Sequence, residues 1–160
     1  MDFLPQEIIP GNKIYFMQDA SIYHFGVLTS NVHNAWMRAT CGRLKSDYNY
    51  SNTIVYNNFP WPEPTDVQRT KIGQTAQAIL DIRSKYPESS LADLYDETAM
   101  PPELRKAHQD NDRAVMQAYG FDPKMYTDDK ESLIVAELFK LYREMTDSGM
   151  GTIKNYKTES

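Results

Sequence analysis

The segment between residues 38 and 51 combines positive charge with side chains that can hydrogen-bond to nucleic acid. Three basic residues fall within eight positions there. Lysine and arginine neutralise phosphates, while groups such as those of Asp47 and Asn49 can read base edges in a DNA groove. Tyrosine and serine hydroxyls can donate to phosphate oxygens. The predicted DNA-contacting residues are Arg38, Arg43, Lys45, Asp47, Tyr48, Asn49, Tyr50 and Ser51.

The composition of this segment is equally compatible with a solvated loop whose tyrosines pack as cross-strand pairs. The net charge of −5 argues against nucleic acid when it is taken alone. The charge is unevenly distributed, however. Residues 1–60 hold four basic and four acidic residues, whereas residues 61–160 hold thirteen basic and eighteen acidic ones. The first part can therefore carry a compact basic patch, but it is not a strongly basic DNA-binding domain.

The sequence contains no set of residues with the spacing of a catalytic or metal site. The three histidines and Cys41 are not at metal-ligand spacing. The seven glycines form no phosphate-binding loop, and neither a Gly-x-Ser-x-Gly elbow nor a His-Glu-x-x-His helix occurs. His108 lies near two aspartates, but helical spacing puts it on an apolar face. We therefore expect a core histidine that is hydrogen-bonded to a neighbour, and Asp112, four residues further on, could be that neighbour. A stand-alone enzyme is the least favoured class.

Several elements must position the basic segment. Extended structure is predicted for 6–16, 22–28 and 53–56, because these runs are rich in β-forming residues. A helix is predicted for 30–41, with Ser30 as its N-cap and Gly42 as its C′ glycine. So few strands do not make a stable sheet, and we expect the remaining strands to lie upstream.

The second part of the chain is predicted to be helical. Three prolines within residues 57–64 exclude helix and central strand there, and Phe59 and Trp61 are expected to anchor this stretch to a core. Helices are predicted for 65–86, from 101 to just before Gly120, and for 128–146. The predicted fold class is α+β, mostly α: a short β remnant with one helix, followed by a three-helix C-terminal bundle.

Several runs of residues resemble one known family. The first three are SNVHNAW at 30–36, GRLKSDYNYS at 42–51 and VYNNFPWP at 55–62. Further runs follow at 90–96, 100–104, 107–108, 112–115 and 118–120. In this order they resemble the C-terminal region of MmeI-like type II restriction-modification DNA methyltransferases.

The resemblance implies a domain organisation and a set of partners. Residues 1–56 would be the C-terminal part of a DNA target-recognition domain, 57–64 a proline-rich linker, 65–146 a helical C-terminal domain and 147–160 a flexible tail. The chain would be a non-catalytic fragment that needs no cofactor itself, although its parent enzyme would use S-adenosylmethionine. Its partners would be double-stranded DNA, reached through the parent enzyme, and the upstream methyltransferase and target-recognition domains.

One alternative function stays open at this point. The acidic helical part could instead be a protein–protein interaction module that makes no direct contact with DNA. In both cases we expect a cytoplasmic protein, because no stretch approaches the 18 apolar residues of a membrane span and the single cysteine cannot form an internal disulfide. The resemblance implies that the protein is prokaryotic.

Overall fold

The computed structural model describes residues 17, 19–44, 47–49, 55–122, 124 and 131–148. Within these ranges there are six helices: α1 Ile22–Leu28, α2 Asn31–Thr40, α3 Asp66–Arg83, α4 Leu91–Leu94, α5 Pro102–Tyr119 and α6 Glu131–Asp147. The one sheet that the described ranges contain is a hairpin, in which β1 (Gly42–Leu44) pairs antiparallel with β2 (Asp47–Asn49).

The helix ends follow the predicted capping signals. Ser30 is the N-cap of α2, and its hydroxyl accepts a hydrogen bond from the His33 backbone N–H. Thr65 and Gln68 form the predicted capping box at the start of α3. Gly120 ends α5 in the left-handed conformation at φ 71°, where glycine has no steric penalty. The predictions for these helix boundaries are therefore confirmed to within a few residues.

The predicted α+β fold class is wrong, because the described part of the chain is helical apart from the short hairpin of β1 and β2. Residues 22–28, for which the sequence predicts a strand, are α1. Ser21 caps this helix together with His24, and the helix buries Tyr23 and Val27, four residues apart, on one face. Val55 and Tyr56 lie in a helical turn rather than a strand. The strand predicted for 6–16 lies outside the described residues.

Gly42 lies at the predicted C′ position, directly after the C-cap Cys41, but it is also the first residue of β1 and is not left-handed. A further expectation about the architecture is wrong. The second part of the chain does not form a separate three-helix bundle, because α1 packs on α3 and α6 makes its main contacts with α2. A short apolar run or a surface stripe shows how much area must be buried, but not which helix will cover it.

The core consists of two clusters of buried side chains. Trp36 and Phe59 lie in the first cluster with residues of α1, α3, α5 and α6. The second cluster joins Phe25 of α1 to α3, α4 and α5. Helix α1 contributes to both clusters, so residues from the two parts of the chain share one interior.

Gly26 allows α1 to lie unusually close to α3. A Cβ atom at this position would lie 2.7 Å from Cγ2 of Ile72 and 3.0 Å from Cβ of Ala76. Only a residue without a side chain fits this contact. The crossing of α1 and α3 therefore depends on glycine at position 26.

The proline-rich segment is fixed to the helices by apolar and polar contacts. Phe59 is fully buried, and Trp61 packs edge-on against it with ring centroids 5.4 Å apart. The Tyr119 hydroxyl donates to the carbonyl oxygen of Pro60 at 2.7 Å. The predicted anchoring of this segment through Phe59 and Trp61 is confirmed. Among the helices described, none is both long enough and apolar enough to cross a membrane.

Candidate nucleic-acid interface

Helix α2 leads directly into the hairpin that contains most of the predicted DNA-contacting residues. Only Cys41 separates the end of α2 from β1. In the hairpin, Arg43 is the register partner of Tyr48, and Gly42 is the partner of Asn49. The hairpin therefore begins directly where α2 ends.

The structure describes five of the eight residues that are predicted to contact DNA. The backbone of the hairpin brings Arg43, Asp47, Tyr48 and Asn49 into one small element. Lys45, Tyr50 and Ser51 lie outside the described residues. Arg38 belongs to the last turn of α2. A DNA-contacting role for any of these residues stays a prediction.

Arg38 forms a two-pronged ion pair with Glu131 at the start of α6. Its Nε donates to Oε1 at 2.9 Å, and its Nη2 donates to Oε2 at 2.7 Å. Both side chains keep part of their surface exposed, 34% for Arg38 and 42% for Glu131. The contact uses two donors of the guanidinium, so a phosphate would have to share Arg38 with Glu131.

The opposite end of α2 is held by Asp112 of α5. The Asp112 carboxylate accepts from the Asn31 backbone N–H through Oδ1 and from the Asn31 side-chain amide through Oδ2, both at 2.8 Å. Backbone N–H groups of a helix's first turn have no partner within the helix, so a carboxylate here satisfies one of them. Burial of the side chain nevertheless raises the pKa of Asp112 to about 6, because it disfavours the charged form more than the Asn31 bonds favour it.

Asn111, next to Asp112, binds the end of α1. Its Nδ2 donates to the carbonyl oxygen of Gly26 at 2.8 Å, and its Oδ1 accepts from the Thr75 hydroxyl at 3.1 Å. Asn111 has no exposed surface. Two adjacent residues of α5 thus hold the corner between α1 and α2. Sequence reasoning placed Asn111 on the core face but did not identify its partners.

His108 is hydrogen-bonded to a neighbour, as expected, but the neighbour is Tyr95 and not Asp112. Its Nε2 lies 2.6 Å from the hydroxyl of Tyr95, which also accepts from Nε of Arg83 at 2.9 Å. Burial, together with the charge of Arg83, lowers the pKa of His108 to about 4. A neutral imidazole can accept the Tyr95 proton, so this trio fastens α4 to α3 and α5.

The described residues hold no group of three or more His, Cys, Asp or Glu side chains that could bind a metal ion. A shallow groove of about 370 Å³ lies beside the proline-rich segment. Its lining residues include Trp61, Glu63, Tyr119, Leu141, Glu144 and Met145. None of these features forms a recognisable catalytic arrangement within the part of the chain that is described.

Comparison with known proteins shows the family to which the chain belongs. Residues 1–63 match the family model of the MmeI target recognition domain, and residues 64–149 match that of the MmeI C-terminal domain. The chain therefore belongs to the MmeI family. The resemblance inferred from the sequence runs is thus confirmed, and the hairpin lies within the residues matched to the target recognition domain.

Two known proteins are similar over most of the chain. DNA methyltransferase A of Bacillus subtilis (strain 168) is 42% identical over 141 residues, which are 88% of this chain. The solved structure of the type IIL restriction-modification enzyme MmeI in complex with DNA is 47% identical and covers 81% of this chain with a TM-score of 0.75. The chain spans only 16% of the length of the first relative and 17% of the second.

The methyltransferase activity named for one relative implies S-adenosylmethionine for a parent enzyme, and the groove beside the proline-rich segment does not fit this cofactor. The lining of the groove contains the carboxylates of Glu63 and Glu144 but no basic side chain that could pair with the cofactor's amino-acid carboxylate. It also contains no glycine that would admit a close approach of the backbone to a nucleoside. This groove therefore supports no chemical step through the cofactor.

Proposed function

We propose that this chain contributes to the recognition of a DNA target, with the hairpin of β1 and β2 as the element that enters a groove. The main support is the position of the hairpin: it lies in the residues matched to the target recognition domain and directly follows a firmly held helix. A two-stranded ribbon is narrow enough for the major groove of B-DNA. The relative with a solved structure was captured in complex with DNA.

In this proposal the predicted residues have different tasks. Arg43 and Lys45 contact phosphates, and Asp47 and Asn49 reach base edges. The hydroxyls of Tyr48, Tyr50 and Ser51 donate to phosphate oxygens, and Arg38 shares its guanidinium between Glu131 and a phosphate at the base of the hairpin. Carboxylates accept hydrogen bonds from the cytosine amino group, which gives Asp47 a defined preference.

The proposal includes a larger enzyme around the chain. The parent would be a restriction-modification DNA methyltransferase that uses S-adenosylmethionine, and its upstream domains would carry the chemistry. This chain would then act without a catalytic centre, in the bacterial cytoplasm where the DNA lies. Its partners would be double-stranded DNA and those upstream domains.

Binding of the full chain to duplex DNA at several salt concentrations tests the proposal. We expect weak, salt-sensitive binding in fluorescence anisotropy with a mixed-sequence duplex. Arg43→Ala or Lys45→Ala should each weaken binding to all sequences and reduce the slope of log affinity against log salt by about 1. Lys71→Ala, an exposed position on α3, serves as the matched control and should change neither.

Substitutions at Asp47 and Asn49 test the base-reading part separately. In the complete enzyme, Asp47→Ala or Asn49→Ala should change which sequences are bound, with a loss of discrimination of roughly 1–3 kcal/mol at one base pair. If the chain has no affinity for duplex DNA even at low salt, the proposal for the chain itself fails.

A second candidate function is a helical interaction module. Helix α6 exposes large apolar side chains: Leu133 is 48% exposed, Phe139 40% and Met145 37%. These side chains lie six residues apart and point in different directions around the helix, so they do not form the single contiguous patch that is typical of an interaction surface. If this function is the correct one, scrambling residues 38–51 should leave the activity of the complete enzyme unchanged.

A further inference from the structure

We propose that Asp112 and Glu131 are positioning residues that fix the orientation of the hairpin formed by β1 and β2. This inference rests on the proposed function of the hairpin. Both residues lie in the part of the chain matched to the C-terminal domain, whereas the hairpin lies in the part matched to the target recognition domain. The C-terminal domain would thus aim the recognition element without touching DNA.

The first step of the argument concerns the beginning of α2. Asn31 is its first residue, and both hydrogen-bonding groups of Asn31 that face α5 are taken by the Asp112 carboxylate. A two-point contact restrains orientation as well as distance, which a single bond does not. The beginning of α2 is therefore fixed relative to α5.

The second step concerns the end of α2. Arg38 lies in its last turn and is bound through two nitrogen–oxygen contacts to Glu131, the first residue of α6. The two carboxylates come from different helices and hold the ten-residue α2 near its opposite ends. Two separated points determine the direction of a rod about 15 Å long.

The third step connects α2 to the hairpin. The Cys41 N–H donates to the Met37 carbonyl oxygen at 2.8 Å, so the helical bonding continues up to the residue before β1. Only the two backbone dihedrals of Cys41, φ −76° and ψ 146°, then separate α2 from β1. A tilt of α2 would therefore be passed on to the hairpin.

The energetics also indicate a geometric role. A half-exposed ion pair such as Arg38–Glu131 adds little to folding stability. Its two-pronged geometry, by contrast, restrains direction strongly. Loss of this contact should therefore change the pose of the hairpin more than it changes the melting temperature.

Residual dipolar couplings of the full chain provide a direct test, because they report the orientation of each N–H bond. In the wild type, the couplings of β1 and β2 should fit the same alignment tensor as those of α3 and α5. In Asp112→Ala and Glu131→Ala, the couplings of β1 and β2 should deviate from that tensor or shrink, while those of α3 and α5 still fit it.

Matched controls separate positioning from general damage. Asp110→Ala on α5 and Glu137→Ala on α6 remove carboxylates whose ion pairs stay within their own helix, and they should leave the hairpin couplings unchanged. Asp112→Asn should retain the wild-type couplings, because its Oδ1 can still accept from the Asn31 N–H and its amide can donate to a rotated Asn31 side chain. If Asp112→Ala unfolds the chain, Glu131→Ala still decides the question.

The results distinguish this inference from the proposed function. Unchanged hairpin couplings in both alanine variants would overturn the positioning role, whatever the DNA result. If the wild type enriches particular sequences from a random duplex pool, Glu131→Ala should lower that enrichment roughly five-fold, the effect of losing about one oriented hydrogen bond. Equal enrichment would also overturn the inference. If the wild type enriches none, the proposed function fails, and the couplings still test the positioning of the hairpin.

Discussion

Asn111 is a polar side chain inside an apolar interior, and both ends of its amide are used there. It bonds the Gly26 carbonyl oxygen at 2.8 Å and the Thr75 hydroxyl at 3.1 Å. We expect Asn111→Ala to lower the free energy of unfolding by about 2–3 kcal/mol, because the carbonyl would be left buried without a partner. Urea denaturation measures this loss. Gln109→Ala, an exposed position on the same helix, should change stability by less than about 0.5 kcal/mol.

The buried imidazole of His33 should make the chain less stable in mild acid. Burial lowers the pKa of His33 to about 4, whereas the unfolded chain protonates it near 6.5. The unfolded state therefore binds more protons between these values, and stability falls as the pH drops below about 6.5. For His33 alone, the loss between pH 7 and pH 5 should be about 2 kcal/mol. Urea titrations at the two pH values measure it, and His33→Gln should remove this part of the pH dependence.

Asp112 should act with the opposite sign. Its pKa in the folded chain is raised to about 6 by burial, so its contribution to stability is largest below the unfolded carboxyl value and is lost as the pH rises through about 6. The Asp112→Asn variant should therefore lose more stability than the wild type between pH 7 and pH 5, by about 1 kcal/mol. Urea titrations of both proteins measure the difference, and a smaller loss in the variant would contradict the expected sign.

At Asn111 and Arg38, the sequence predicted the local placement of the residue but not its distant partner. Helical periodicity placed Asn111 on the inner face of α5, and this followed from the spacing alone. Its partner Gly26 is 85 residues away, and no local pattern joins them. The basic segment could likewise be found from composition, but the pairing of Arg38 with Glu131 spans 93 residues and depends on the packing of α6.

At the scale of elements, the contact between α1 and α3 is the most sensitive to change. We expect Gly26→Ala to lower the free energy of unfolding by about 1–2 kcal/mol, because the strain of overpacking exceeds the gain in helix propensity. The added methyl group would sit 2.7 Å from a branched carbon of Ile72. Thermal unfolding followed by circular dichroism measures the effect.

Gly73 offers the matched control in the same helix pair. A Cβ there would come no closer than 3.3 Å to Cγ2 of Ile22, and the position lies in the middle of α3. Gly73→Ala should therefore be neutral or stabilising by up to about 1 kcal/mol. If both alanine variants behave alike, close approach is not what requires glycine at position 26.

The sequence predicted the long helices α3 and α5 correctly but not the short helix α1. The long helices α3 and α5 have caps and prolines at their ends, and these signals are local. The seven-residue α1 is too short for its apolar pattern to separate helix from strand. Its helical form is instead selected by packing against α3, which the sequence of α1 alone does not contain.

For the whole molecule, the shared core predicts a single cooperative unfolding transition. Trp36 packs against Phe139 and Tyr142 of α6, so residues from both family domains lie in one cluster. Tryptophan fluorescence and circular dichroism should therefore give coincident urea curves. Leu138→Ala, at a fully buried position, should shift both curves equally, by about 2–5 kcal/mol. Two separate transitions would show that the domains fold independently.

The interlocking of α1 with α3 has a practical consequence for chimeric proteins. A chimera could join the recognition part of one relative to the helical part of another at residue 64. Its hydrophobic core would then combine residues from two different proteins, because both parts of the chain contribute to the same core. The donor and acceptor sequences would have to agree on glycine at position 26, asparagine at position 111 and the carboxylates at 112 and 131. We expect a chimera to keep the specificity of its donor most readily when both parent proteins share these four residues.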